Sequence, residues 1–137
     1  MSVRVKKNRK SYDVVIVGGG MAGICAAIAS ARGGAVTALV HDRPVLGGNA
    51  SSEIRMHICG ASSNLIKQDA EETGILHELL LENKAYNDYY NYSIWDNVLL
   101  QKVYAEKNLT LYLNTSISDL QVVGDRITSI SGYQLTT

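Results

Sequence analysis

The chain has 137 residues, of which 13 are basic, 13 acidic, 46% apolar and 19% charged. That length and composition suit one globular domain with a real core and exclude a disordered tail, and the zero net charge excludes whole-chain attraction to nucleic acid or an anionic membrane. Cys25 and Cys59 stand 34 residues apart without a Cys-x-x-Cys pair, so a disulfide scaffold, a structural zinc site and a dithiol redox motif lack support, and two buried thiols are expected.

Arg4, Lys6, Lys7, Arg9 and Lys10 place five of the 13 basic residues in the first ten positions, the pattern of a flexible basic arm over residues 1–10. The 18 residues from Val14 to Ala31 carry no charge and end in Ala29-Ser30-Ala31, which imitates a signal peptide or a marginal membrane span. Asp13 at the mouth of the run and Gly18-Gly19-Gly20 inside it argue against both. A cytoplasmic protein without membrane association is expected.

Residues 12–17 (YDVVIV) read as a strand buried on both faces. Gly18, Gly19, Gly20, Met21, Ala22 and Gly23 follow at once and match G-x-G-x-x-G. Ile24 to Arg32 is a small-residue helix closed by Gly33-Gly34, and Ala35 to Val40 is a second strand. The glycines then divide the work. Gly18 turns the chain out of the strand, Gly20 lets a pyrophosphate approach, and Gly23 packs the helix on the sheet. The phosphates would lie against free N–H groups at the positive end of the helix. A strand before the motif and a helix after it, in a unit of about 30 residues, are the context that gives this motif meaning. The carboxylate that grips the ribose is expected about 20 residues beyond the glycines. Eighteen residues past Gly23 stands His41, with Asp42 next, and both are candidates.

Arg43 to Asn49 (RPVLGGN) is a glycine-rich loop where an ordinary NAD-binding unit would continue into a helix. Gly47 and Gly48 permit close backbone approach, while Asn49, Ser51 and Ser52 offer neutral hydrogen-bond partners. Gln68 to Ala85 reads as a helix with Ile75, Leu76, Leu79 and Leu80 on one face, weakened early by Gly74. Residues 86–92 hold four of the eight tyrosines, expected as a connector with its rings folded onto neighbours. Ser93 to Asp96 resembles a capping box opening a helix to about Lys107. Leu109 to Leu113 is a third strand, expected parallel and beside the second. Ile117 to Val123 and Arg126 to Leu135, joined by Gly124-Asp125, form a β-hairpin.

The stretches GGGMAG and DRPVLGGNASSEIRMHICG together resemble the FAD-dependent oxidoreductases of the glutathione-reductase-like superfamily, and ETGILHELLLEN, SIWDNVL and LNTSISD extend the resemblance over nearly the whole chain. It implies an α/β fold: a Rossmann-like FAD-binding βαβ unit with a parallel sheet, additional helices and a C-terminal β-hairpin, forming an incomplete domain. Residues 11–137 would be the N-terminal part of that domain, with the remainder of a longer polypeptide as partner. By the same resemblance, Gly18, Gly20 and Gly23 hold the pyrophosphate of FAD, and the turn at His41 and Asp42 faces the adenosine ribose. Arg43, Gly47, Gly48 and Asn49 lie along the cofactor, Ser51 and Ser52 approach the flavin, and the strand around Ile117 reaches the adenine. A hairpin of this kind covers one face of the nucleotide-binding sheet in the superfamily.

His57 and Arg55 are the catalytic candidates, as a proton donor or acceptor and as an anion holder beside the flavin. The plainer alternative is a Glu53–Arg55 ion pair with His57 as a buried, satisfied side chain. The function expected is hydride transfer between a small-molecule substrate and FAD, without nucleic acid beyond the dinucleotide and without a metal. An NAD(P)-binding domain, or a truncated nucleotide-binding module without activity, are the alternatives.

Overall fold

The computed structural model describes residues 7–61 and 70–135. Most of the expected basic arm, residues 1–6, lies outside the described residues, and residues 7–10 are exposed without regular structure. The uncharged run after Asp13 divides as its glycines dictate. Val14–Val17 is strand β1 and Met21–Arg32 is helix α1, so the fingerprint supplies the first turn of the helix as well as the loop. Thr37–Val40 forms β2 and Leu109–Tyr112 forms β3. The three strands make a parallel sheet in the order β1-β2-β3, with Val14 opposite Thr37 and Thr37 opposite Leu109. The expectation of a third strand parallel to the second and beside it holds.

All four residues of β2 are buried. β1 is not buried on both faces as its apolar sequence suggests: Val14, Val15 and Val17 are exposed, and Ile16 packs against the core. The cause is topological. Among the described residues β1 pairs with β2 alone, so its other edge and much of its surface meet solvent.

Two further helices close the core. Gly74–Tyr86 is α2 and Tyr92–Ala105 is α3. The helix expected from Gln68 starts six residues later; Gln68 and Asp69 lie outside the described residues, and residues 70–73 are not helical. The Glu72 carboxylate accepts the Ala61 amide at 2.6 Å, tying this segment to the preceding loop, and Gly74 enters the helix at φ +64. The expected capping box at Ser93 is replaced by Asn91, whose side chain accepts the Ser93 N–H at 2.8 Å and starts α3 two residues earlier.

Ile24, Ile28, Leu39, Leu46, Leu79, Trp95, Leu99 and Val103 meet in one apolar cluster between the sheet and the helices. An ion network ties the helices together at its edge. Arg32 reaches Glu78 at 2.7 Å and Glu106 at 2.8 Å, and Lys102 reaches Glu78 and Glu82 at 2.6 Å each. The Arg32 guanidinium, then the Lys102 ammonium, hold the Glu78 carboxyl down to about 2.

The α2–α3 connector is organised by a residue that carries no visible sequence signal. Asn87 is 1% exposed; its amide donates to Asn83 Oδ1 and the Asn91 carbonyl, both at 2.8 Å, and its oxygen accepts the Asn91 N–H at 2.7 Å. Tyr86, Tyr89 and Tyr90 point into solvent rather than folding onto neighbours, because Asn87 carries the turn. Tyr92 is the anchored ring, its hydroxyl donating to the Arg55 carbonyl at 2.7 Å. Asn87→Ala removes three hydrogen bonds made by a buried side chain, so a loss of about 2–3 kcal/mol in unfolding free energy is expected by urea denaturation.

Thr115–Val123 and Arg126–Gln134 form the antiparallel strands β4 and β5. Gly124 opens their turn at φ +64, the glycine-first geometry that suits hairpin twist. The hairpin does not lie over the sheet as the resemblance implies. Leu120, Val122, Val123, Ile127 and Tyr133 are all exposed, and only the base of β4 reaches the β1–β2 edge.

Candidate functional site

The glycine loop is held by backbone bonds to its neighbours. The Gly18 N–H donates to the Val40 carbonyl at 2.7 Å, and the Gly47 N–H donates to the Gly19 carbonyl at 2.8 Å. Gly20 and Gly47 pair as an isolated parallel bridge, so the loop after β2 runs alongside the fingerprint, as its length suggests. Gly18 sits at φ +111, the left-handed turn a glycine accommodates. A Cβ on Gly23 would collide with the Gly18 carbonyl oxygen, whereas one on Gly20 would meet nothing within 4 Å. Gly23 is therefore glycine because of packing, and Gly20 faces open space. Met21 and Ala22, with Gly23, form the first helical turn, whose N–H groups lack intrahelical partners, and α1 has no side-chain cap.

Gly47 and Gly48 are closely approached by the protein itself. A Cβ on Gly47, at φ +111, would stand 3.0 Å from Leu99 Cδ1; one on Gly48 would stand 3.2 Å from Gly20 Cα. Ser51 is fully buried and donates its hydroxyl to the Gly48 carbonyl at 2.7 Å. Ser52 is half-buried, and its N–H donates to Asp96 on α3 at 3.0 Å. Asn49 is exposed, with its carbonyl accepting the Met56 N–H at 2.9 Å.

His41 and Asp42 are separated sharply. His41 is 6% exposed beneath the fingerprint, its Nδ1 accepting the Gly19 N–H at 3.0 Å. Burial pushes its pKa below the ordinary histidine value, the neighbouring Asp42 carboxylate opposing that shift. Asp42 instead is exposed and lines a cleft of about 260 Å³ with Val17, Gly18, Val40, Thr115, Ser116 and Ile117. The cleft lies where the C-terminal ends of β1 and β2 meet the base of the hairpin, the edge at which open parallel sheets take ligands. Thr115 joins this wall without having been singled out by sequence; its N–H donates to the His41 carbonyl at 2.8 Å, a long-range bond with no local signal.

The residues beyond the loop are arranged differently from expectation. Glu53 pairs with Arg43 at 3.2 Å rather than with Arg55, whose Nε donates to the Ser52 carbonyl at 3.1 Å. Arg55 adopts φ +63, a left-handed conformation unusual outside glycine. His57 is exposed rather than buried, and neither it nor Arg55 lines the Asp42 cleft. The expectation of two buried thiols also fails: Cys25 is half-buried, with burial pushing its pKa up, and Cys59 is exposed.

No helix among the described residues is long and apolar enough to cross a membrane. The profile of the FAD dependent oxidoreductase family matches residues 13–136. Two curated relatives are both named tRNA uridine 5-carboxymethylaminomethyl modification enzyme MnmG. The one from Rhodopirellula baltica is 28% identical over 166 aligned residues, covering all of this chain and 25% of the relative. The one from Geotalea uraniireducens is 38% identical over 85 residues, covering 55% of this chain and 14% of the relative. The chain thus spans a quarter or less of these relatives' length. Among solved structures, Aquifex aeolicus GidA superposes with TM-score 0.51 at 19% identity, over 88% of this chain and 22% of its own. Thermovibrio ammonificans THI4 superposes with TM-score 0.56 at 19% identity, over 90% of this chain and 48% of its own. The parallel sheet, the glycine loop and the family profile agree: the chain belongs to the FAD dependent oxidoreductase family, whose cofactor is FAD.

Proposed function

We propose that residues 11–137 are the N-terminal FAD-binding part of a cytoplasmic oxidoreductase that moves a hydride between a small-molecule substrate and FAD, the rest of the flavin site coming from further chain. The observation that carries this is the open face of Gly20, next to an uncapped helix N-terminus and the Asp42 cleft. That combination fits a dinucleotide. The pyrophosphate would lie on Gly18, Gly19, Gly20, Met21 and Ala22, the place a Cβ on Gly20 would fill. Asp42 would accept from the ribose hydroxyls, and Thr115, Ser116 and Ile117 would flank the adenine. A cleft of about 260 Å³ suits the adenosine end and not a whole FAD, in keeping with a site completed from elsewhere.

Bound FAD supplies the redox centre, and this chain positions it. Arg43 stands near the cofactor path as part of an ion pair with Glu53, so its charge is partly neutralised. His57 and Arg55 are exposed and reachable, and remain the candidates for holding a proton and an anion at the flavin end. A cytoplasmic location accords with the division of residues 14–31 into strand, loop and helix. The curated relatives are named for tRNA uridine modification, which favours a tRNA substrate as the second reading.

Two measurements test the proposal. The purified chain titrated into FAD should quench flavin fluorescence and show no comparable response with NADH. Preference for NADH would favour an NAD(P)-binding domain, and no response to either would overturn the proposal. Asp42→Ala should weaken FAD binding about tenfold through loss of a charge-assisted hydrogen bond, with the melting temperature unchanged. An unchanged affinity would move the ribose contact elsewhere.

A further inference from the structure

The imidazole of His41 is the one buried polar side chain whose bonding is left incomplete among the described residues. Its Nδ1 accepts the Gly19 N–H at 3.0 Å, which requires the remaining proton of the neutral ring to sit on Nε2. That Nε2 is buried without a hydrogen-bond partner. The Asp42 carboxylate lies 3.4 Å from Nδ1, at the mouth of the cleft. A single ring nitrogen is therefore shared by the Gly19 N–H of the glycine loop and the Asp42 carboxylate of the cleft.

We propose that His41 is a positioning residue whose proton state sets the cradle: the neutral ring holds Gly19 and leaves Asp42 free for the cleft, whereas the protonated ring releases Gly19 and draws Asp42 inward. This rests on the FAD-binding reading above. When Nδ1 gains a proton it becomes a donor, and the Gly19 N–H faces another N–H instead of a lone pair. The new donor then turns to the Asp42 carboxylate. Both the loop that meets the pyrophosphate and the carboxylate offered to the ribose are disturbed by one protonation.

Burial opposes protonation of His41 most strongly, with Arg43 adding to it, while the Asp42 carboxylate, the nearby Val45 carbonyl and Glu53 favour it. Gly19, Tyr112 and Thr115, from the other elements packed around it, meet His41 or its strand through backbone groups. An anionic pyrophosphate above the loop would favour the protonated ring, so the sign of the pH effect decides between the two influences. A pKa below the ordinary histidine value near 6.5 places the effect on the acid side of that value.

The test titrates FAD into the full chain from pH 8 to pH 5, beside His41→Asn and His41→Leu. Asparagine keeps an acceptor oxygen in the position of Nδ1 and does not titrate. The wild-type affinity should be level at the alkaline end and fall up to about tenfold per pH unit below the His41 pKa. His41→Asn should bind FAD at neutral pH and stay level, and His41→Leu should bind about tenfold or more weakly at every pH. A wild-type affinity that is level or rises in acid overturns the proposal, as does a fall shared by His41→Asn. Amide NMR of the FAD-free chain separates this from the FAD reading. The Gly19 resonance should move with the His41 ring titration whether or not FAD binds, and a Gly19 signal indifferent to that titration overturns the coupling. A coupled Gly19 signal in a chain that never binds FAD keeps the coupling and overturns the FAD reading.

Discussion

Gly23→Ala is expected to destabilise the chain by about 3 kcal/mol and to abolish FAD binding, the upper end of what overpacking costs. The added Cβ would fall inside the van der Waals shell of the Gly18 carbonyl oxygen, 3.0 Å from the Gly18 carbonyl carbon and 3.5 Å from Ile16 Cγ2. The first two obstacles are backbone, so no rotamer change relieves them. α1 must move off the β1 turn, and the amides of its first turn move with it. Gly20→Ala makes the matching control. Gly20 has φ −71, which alanine adopts without strain, and its Cβ would project into open space. Alanine is a poorer N-cap than glycine, so that variant should lose no more than about 1 kcal/mol, well short of Gly23→Ala. It should still lose FAD, because the Cβ occupies the space proposed for the pyrophosphate. Thermal melting and fluorescence quenching on both variants therefore separate a packing glycine from a ligand-facing one. Equal melting temperatures for the two would refute the assignment of roles.

The packing role of Gly23 was legible in the sequence, because the fingerprint is local. Strand, turn and helix follow from β-branched residues, a glycine cluster and small apolar residues in direct succession, and the tertiary structure does not override them. The hairpin was legible for the same reason, with Gly124-Asp125 setting its turn. What escaped were features decided by distant partners. Residues 70–73 of the expected 68–85 helix are not helical, and Glu72 among them binds the Ala61 amide, 11 residues back. The choice between His41 and Asp42 depends on which residue turns under Gly19, 22 positions from His41, and composition cannot reveal it. β1 reads as an interior strand by sequence, yet the described residues pair it on one side alone. Gly47 and Gly48 looked like cofactor-approach glycines. Their neighbours are Leu99 and Gly20, a packing relation invisible until α3 is placed.

Leu99 is where that packing relation becomes measurable. It is fully buried in α3, in the cluster with Ile24, Leu39, Leu46 and Trp95, and its Cδ1 stands 3.0 Å from where a Cβ on Gly47 would be. Leu99→Ala should cost about 2–5 kcal/mol through lost burial and the cavity left behind. For a chain of this size that corresponds to a fall in melting temperature of roughly 6–20 °C. The cavity would open directly beneath the loop that pairs with the fingerprint, so FAD affinity should fall as well, in protein that is still folded at the assay temperature. Val103→Ala distinguishes the two effects, because Val103 is 1% exposed in the same cluster, whereas the atoms nearest a Cβ on Gly47 belong to Leu99 and Ser51. It should lower the melting temperature and leave FAD affinity near wild type. If both variants lose affinity in proportion to stability, α3 acts on the site through general stability alone. If Leu99→Ala loses more, the loop after β2 owes its position to this one side chain. The glycine fingerprint, bonded to that loop through Gly19 and Gly47, then depends on the third helix as well as on its own strand and helix.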